Sequence, residues 1–273
     1  VMRAASENLV PVTLELGGKS PVIISPKADM APTTDALMAG KMLNAGQICL
    51  APDYVFVPRN RMSEFVESSK RSVAKMYPTL LDNPDYTSVV NERHFQRING
   101  YVDEARERGV EVVEINPANE NFGQQSAHKI APTFLIDPPE DSAVMQEEIF
   151  GPVMPIKSYD SLDETMDYVN SHERPLGLYY FGTDQQETDQ VLGNTTSGGV
   201  TLNDVVMHVA QEDLPFGGVG PSGMGSYHGE DGFRTFSHAK AVFKQATFNP
   251  AEKLGLRPPY GEKIMGLLKT QIK

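Results

Sequence analysis

The one cysteine of the chain, Cys49, stands in Asn44-Ala45-Gly46-Gln47-Ile48-Cys49-Leu50-Ala51-Pro52, three residues past a glycine that reads as a helix stop. A thiol at a polar turn is readily activated as a nucleophile, although a lone cysteine is also a common small, buried apolar residue. Glu15 lies 34 residues earlier, where an apolar run (Val12, Leu14) enters Glu15-Leu16-Gly17-Gly18-Lys19-Ser20-Pro21. Two adjacent glycines let the backbone come close to another group. The plainer reading is a strand ending in a tight turn with a solvated carboxylate.

A third stretch, Gln146-Glu147-Glu148-Ile149-Phe150-Gly151-Pro152-Val153, pairs two carboxylates with an aromatic ring and a Gly-Pro turn. It reads either as a charged rim before a strand, or as a carboxylate that accepts from vicinal hydroxyls, as in ribose recognition, beside a ring that restrains a flat ligand. The fourth, Leu214 to Gly223, contains a literal G-x-G-x-x-G from Gly218 to Gly223. A dinucleotide fingerprint needs a strand before it and a helix opening within it, whereas Leu214-Pro215 precedes this one and Pro221 interrupts it. The six histidines show no metal-binding spacing, and neither a phosphate loop nor a Gly-x-Ser-x-Gly elbow is present. No metal is therefore expected.

The elements that must position these groups alternate short apolar runs with longer amphipathic stretches, which predicts an α/β fold. Pro21 to Ser25, Tyr54 to Val57, Glu111 to Ile115 and Leu178 to Phe181 are β-branched or aromatic and closed by turn residues, and read as buried parallel strands. Helices are expected over Thr34 to Asn44, over Asn60 to Met76 with Asn60 as N-cap, and over Asn91 to Gly109 with Phe95, Ile98, Val102 and Ala105 on one side. Asp160 to Ser171 and Thr183 to Gly193 complete the rhythm. After Asn203, glycines crowd an aperiodic loop. From Ala251 onward five basic residues face two acidic ones, and Ile264, Leu267 and Leu268 suggest a short amphipathic helix.

A net charge of −12, from 24 Lys plus Arg against 36 Asp plus Glu, argues against a nucleic-acid-binding surface. Apolar residues make up 40% and charged residues 22%, which is ordinary for a globular chain, and no apolar run approaches the ~18–20 residues of a membrane span. One cysteine excludes an intrachain disulfide framework and fits a reducing compartment, so the expected location is cytoplasmic. The opening Val1-Met2-Arg3-Ala4 is neither an initiator methionine nor a signal peptide, and leads to the expectation that sequence is missing upstream.

Taken in order, Glu15, Cys49, Glu148-Ile149-Phe150-Gly151-Pro152 and Pro215-Phe216-Gly217-Gly218 resemble the aldehyde dehydrogenase superfamily over essentially the whole chain. Cys49-Leu50-Ala51-Pro52-Asp53-Tyr54 and Phe233 to Lys240 resemble the branch that includes coniferyl and other aromatic or fatty aldehyde dehydrogenases. The resemblance implies that Cys49 is the nucleophile, through a thiohemiacetal and a thioester, and that Glu15 is the base that activates water. It implies NAD or NADP as cofactor, with Glu148 on the nicotinamide-side ribose, Phe150 steering the ring, the Leu16 backbone at the carboxamide and Gly17 also binding the cofactor. Phe216, with Val205 to His208 and in particular Val206 and His208, would line the aldehyde entrance.

The implied fold is the open parallel-sheet α/β catalytic domain of that superfamily, with most of the Rossmann-like cofactor domain absent. The expected division is 1–21 as the last strand of the cofactor domain, 22–246 as the catalytic domain, and 247–273 as a tail for packing or oligomer contact. Family members carry a long segment before the position of Glu15, so the chain is expected to be a fragment of a longer, homodimeric parent, and its activity without the upstream half is left open. Two other readings remain open at this level: a silent interaction module, and a cofactor-independent thiol esterase using Cys49 and Glu15.

Overall fold

The computed structural model of the chain describes residues 1–272, so Lys273, the last residue of the expected tail, lies outside the described residues. The chain divides into two compact units, Val1–Phe236 and Ser237–Lys273. The first begins with helix α1 (Met2–Glu7) and strand β1 (Leu14–Glu15), and continues through β2 (Ser20–Ile24), α2 (Met30–Met42), β3 (Pro52–Pro58), α3 (Met62–Met76) and α4 (Glu92–Glu107). Then follow β4 (Glu111–Glu114), β5 (Thr133–Ile136), α5 (Ala143–Gln146), β6 (Val153–Tyr159), α6 (Leu162–Ser171), β7 (Gly177–Phe181), α7 (Gln185–Asn194), β8 (Gly199–Leu202), β9 (Gly223–Met224) and α8 (Gly229–Thr235). The second unit holds α9 (Pro250–Lys253) and α10 (Glu262–Gln271), which contains Ile264, Leu267 and Leu268.

Seven strands form one sheet in the order β4-β5-β6-β3-β2-β7-β8, and every neighbouring pair is parallel except β4 with β5. Alternate residues of each strand feed opposite faces, as the two-residue period of a strand requires. Val22, Ile24, Val55 and Val57 pack on Leu37 and Met38 of α2 and Phe65 and Val73 of α3. Ile23, Tyr54 and Phe56 pack on Met166 and Val169 of α6 and Val191 of α7. The sheet is thus covered on both sides, and α4 closes one end by packing Ile98, Tyr101 and Val102 on Leu135 and Val153.

Several expectations from the sequence need correction. Glu111 to Ile115 does not form a buried parallel strand: β4 runs antiparallel on the sheet edge with Val112 and Val113 only half-buried. Asn60 does not cap α3, because Arg59–Arg61 forms a 3₁₀ turn and the helix begins at Met62. Arg61 there donates to the Pro26 and Ala28 carbonyls and pairs with Glu64. Helix α2 begins at Met30, ahead of the expected Thr34, since Pro32 falls in the first turn, where a missing N–H costs nothing. By contrast, α4 falls within the expected stretch, and Asn91 caps it by accepting from the His94 N–H at 3.0 Å.

Candidate active site

The residues singled out in the sequence meet along one edge of the sheet. Glu15 precedes β2, Cys49 precedes β3 and Glu148 precedes β6, and these three strands are parallel neighbours. Parallel strands carry all their amino ends on the same edge, so the three groups converge there.

Helix α2 stops at Met42, and the chain then takes three successive left-handed residues, Asn44 (φ 50°), Ala45 (φ 51°) and Gly46 (φ 74°). A Cβ at Gly46 would strike the Gly151 carbonyl, so this turn can approach the Glu148 loop only as glycine. Gln47 anchors the turn. Its amide donates to the Asn44 and Ser88 carbonyls at 3.0 Å each, and its side-chain oxygen accepts from the Val90 N–H at 2.9 Å. Beyond it Cys49 is half-buried beside Leu50, Leu176 and Phe216, and the Tyr179 hydroxyl donates to the Leu50 carbonyl at 2.6 Å. Among the described residues no carbonyl accepts from the Cys49 backbone N–H, which interacts with its own sulfur.

Glu15 lies on β1, which pairs not with the large sheet but with β9, placing Leu14 opposite Met224 and Glu15 opposite Gly223. The Leu16 N–H donates to the Ser222 carbonyl at 3.0 Å, and among the described residues no backbone N–H donates to the Leu16 carbonyl. The glycine-rich loop therefore holds the segment of Glu15, and no helix opens between Gly218 and Gly223. Glu15 reaches the Cys49 thiol. Burial, then the nearby Glu15 carboxylate, then the charge of Glu148, push the thiol up to about 12. At neutral pH Cys49 is thus held as a thiol beside a carboxylate.

Glu148 follows the short helix α5 and sits against the Gly17-Gly18 turn. Its carboxylate lies close to the Gly18 backbone, and it approaches Gly17 so closely that a side chain there would have to push it aside. Burial, with Asp53 and Glu15 nearby, raises its carboxyl to about 7 despite the opposing pull of the Gly18 backbone and Lys19. Arg97 fixes the backbone behind it, donating to the Glu148 carbonyl at 3.3 Å and to the Ile149 carbonyl at 2.8 Å. A cavity of about 460 Å³ opens on this turn, walled by Leu16, Gly17, Gly18, Lys19 and Glu148. Phe150, two residues on, is 39% exposed with φ 50°, a left-handed conformation unusual for a bulky residue.

The expected aldehyde-lining residues form an aromatic wall next to Cys49. Phe216 is buried, and Val206, with φ 66°, packs on the same cluster. His208 is buried against Phe216 and Tyr179, with ring centroids 6.0 Å and 6.2 Å away. Its Nδ1 lies 2.8 Å from the Thr201 hydroxyl, while Nε2 is buried without a hydrogen-bond partner. Tyr227 stacks edge-on against Phe216 and lies near enough to Glu15 and Cys49 for their charges, after burial, to raise its phenol. Sequence reasoning missed Tyr227, because nothing in an aperiodic loop marks which ring folds back. It also assigned no role to Lys19 and Asp53, although both lie inside the motifs of Glu15 and Cys49.

The fold and site define an α/β domain that carries a thiol with a carboxylate beside it and a second carboxylate over a glycine turn. The model of the aldehyde dehydrogenase family matches residues 1–242, and the chain belongs to that family. It is 63% identical over all 273 residues to a probable coniferyl aldehyde dehydrogenase of Caulobacter vibrioides, and covers 56% of that protein. Among solved structures, the substrate-bound state of Staphylococcus aureus AldH superimposes with a TM-score of 0.87 at 39% identity, covering 100% of this chain and 57% of that one. A Mycobacterium tuberculosis aldehyde dehydrogenase complexed with NAD+ superimposes with a TM-score of 0.79 at 28% identity, covering 91% and 51%. The chain thus spans little more than half the length of these relatives.

Proposed function

We propose that this chain supplies the catalytic part of an enzyme that oxidises an aldehyde to the carboxylic acid with NAD+ or NADP+, with Cys49 as nucleophile and Glu15 as base. The observation that carries this reading is the Glu15 carboxylate beside the half-buried Cys49 thiol, close enough for its charge to raise the thiol. Glu15 takes the thiol proton as Sγ forms its bond to the aldehyde carbon, and a thiohemiacetal results. The Cys49 N–H, from which no carbonyl accepts among the described residues, would donate to the oxygen that becomes negative; one such preorganised donor typically lowers a barrier by ~2.7–4 kcal/mol. Glu15 is exposed, so it passes the proton to solvent and recovers its charge. It then removes a proton from the water that cleaves the thioester, and the acid leaves as Cys49 regains its thiol.

The nicotinamide, when bound, supplies the hydride acceptor that turns the thiohemiacetal into the thioester. The residues present fit such a group: the Gly17-Gly18 turn leaves a side-chain-free wall on the cavity of about 460 Å³, and Glu148 stands over it as an acceptor for ribose hydroxyls. Leu16 would meet the carboxamide through its free carbonyl and Phe150 would restrain the ring. The wall of Phe216, Val206 and His208 suits an aromatic or long-chain aldehyde, and coniferaldehyde is the first substrate to try, given the name of the Caulobacter relative. The expected active assembly is a homodimer of a longer parent.

The test is NADH formation from coniferaldehyde by the chain at verified mass, and by the same chain extended upstream to the length of its relatives. Turnover that vanishes in Cys49→Ala supports the reading. Ester hydrolysis that needs Cys49 and persists without nucleotide, with no aldehyde oxidation by either form, would instead favour a thiol esterase. If Cys49→Ala and Glu15→Gln left every measurable behaviour unchanged, an interaction module would be the better reading.

A further inference from the structure

Lys19 follows Glu15 by four residues and Asp53 follows Cys49 by four. The structure joins these two positions in an ion pair, with Asp53 only 4% exposed. Lys19 Nζ also donates to the Val144 and Glu147 carbonyls, each at 2.8 Å, and the other Asp53 oxygen accepts from the Ile149 N–H at 2.9 Å. The pair therefore grips the chain immediately before and immediately after Glu148. Three segments, those of Glu15, Cys49 and Glu148, meet at this one contact.

The sheet is distorted to make the contact possible. Between β2 and β3, Ser20 lies opposite Pro52 and Pro21 opposite Tyr54, so Asp53 is an extra residue with no partner across the ladder. A bulge of this kind re-aims a side chain, and such irregularities gather next to functional sites. Pro21 has no N–H to donate to the ladder, so the irregularity sacrifices no hydrogen bond from it. An aspartate this buried would carry a heavy desolvation cost without its partners, and a hydrophobic pair could have packed the same space.

We propose that the Lys19–Asp53 ion pair is the positioning junction of the site, holding the segments of Glu15, Cys49 and Glu148 at the separations their chemistry needs. The proposal rests on the reading of those three as the reacting and cofactor-facing groups. Neither Lys19 nor Asp53 touches the reacting atoms in this scheme. The charged and titratable groups around Asp53 are Lys19, the buried Lys41, Tyr54, Tyr168 and Glu148.

The test is the alkylation rate of Cys49 by iodoacetamide across pH, in the whole chain, for Asp53→Asn, Lys19→Met and the double variant Lys19→Met/Asp53→Leu, which removes both charges and retains apolar bulk. This readout needs no nucleotide, so it stands even if the wild type oxidises no aldehyde. Released from the junction, Glu15 moves off the thiol; the alkylation midpoint then falls in each variant, and hydrolysis of p-nitrophenyl acetate, where the wild type shows it, drops roughly tenfold or more. The double variant should be no worse than either single one, because all three remove the same contact. Variants that fold, melt earlier and keep the wild-type alkylation profile would overturn the proposal and leave the pair a purely structural one. A failed aldehyde assay with a shifted alkylation profile would instead count against the proposed function alone.

Discussion

A β-carbon on Gly17 would stand 3.0 Å from one carboxylate oxygen of Glu148 and 3.2 Å from the other. Gly17 also has φ +84°, in the left-handed region, whereas at Gly18 (φ +131°) an added β-carbon meets nothing within 4 Å. Gly17→Ala therefore combines backbone strain of ~1–2 kcal/mol with displacement of Glu148, while Gly18→Ala carries strain alone. Both variants should lose stability to denaturant, and only Gly17→Ala should in addition weaken cofactor binding several-fold. Titration of NAD+ into the upstream-extended chain checks the difference.

Glu148 gives a pH signature of stability. Its carboxyl is raised from 4.5 to about 7 on folding, chiefly by burial, so between those values the folded state binds more protons than the unfolded one. Stability contributed by this group is complete below the unfolded value and is lost as pH rises toward 7. Glu148→Gln should accordingly match the wild type near pH 4.5 and exceed it above pH 7 by about 1 kcal/mol, after allowing for the part of the carboxylate that remains in water. Urea melts at both pH values check this. A gain in stability together with a loss of cofactor affinity is the pattern of a site that retains an unfavourable charge for function.

The carboxylate beside Cys49 predicts a change in thiol reactivity. Removing the Glu15 charge with Glu15→Gln takes away one of the causes that hold the thiol up near 12, while burial, the largest cause, remains. The alkylation midpoint of Cys49 should fall part of the way toward the ordinary cysteine value, and alkylation at pH 8–9 should quicken by roughly tenfold. Ester or thioester turnover should fall in the same variant, because the base is lost. Faster alkylation with slower turnover separates the two roles of Glu15.

How much of this could be seen beforehand differs between strands and site. The central strands β2, β3 and β7 were legible because they are buried on both faces and therefore read as continuous apolar runs. Strand β6 was not, since Pro155 and Lys157 interrupt its pattern. Pro155 is tolerated because the pairing with β3 begins only at Ile156. The motifs around Glu15, Cys49 and Glu148 were visible as local sequence, but their meeting was not, for it depends on the strand order β6-β3-β2. That order also sets the groups at the amino ends of parallel strands, whereas ligands of open α/β sheets ordinarily gather at the carboxyl ends. The Lys19–Asp53 contact depends on a one-residue slip of register that no local pattern announces.

The aromatic wall depends on one hydroxyl. Thr201, at the 9% exposed position of β8, accepts from the His208 N–H at 3.2 Å and lies 2.8 Å from His208 Nδ1, so a single side chain holds both backbone and ring of that residue. Thr201→Val keeps the shape and removes the hydroxyl, leaving Nδ1 unpaired in a ring whose Nε2 already lacks a partner. The cost should be about 2 kcal/mol, read from the denaturation midpoint. The loop it releases includes Val206, whose left-handed backbone is tolerated only while its surroundings hold it. Freed of that hold, Val206 and Phe216 should fit bulky aldehydes less well and small ones about as before. In the upstream-extended chain the KM for coniferaldehyde should therefore rise several-fold more than that for propanal, while equal changes for the two would detach His208 from the substrate wall.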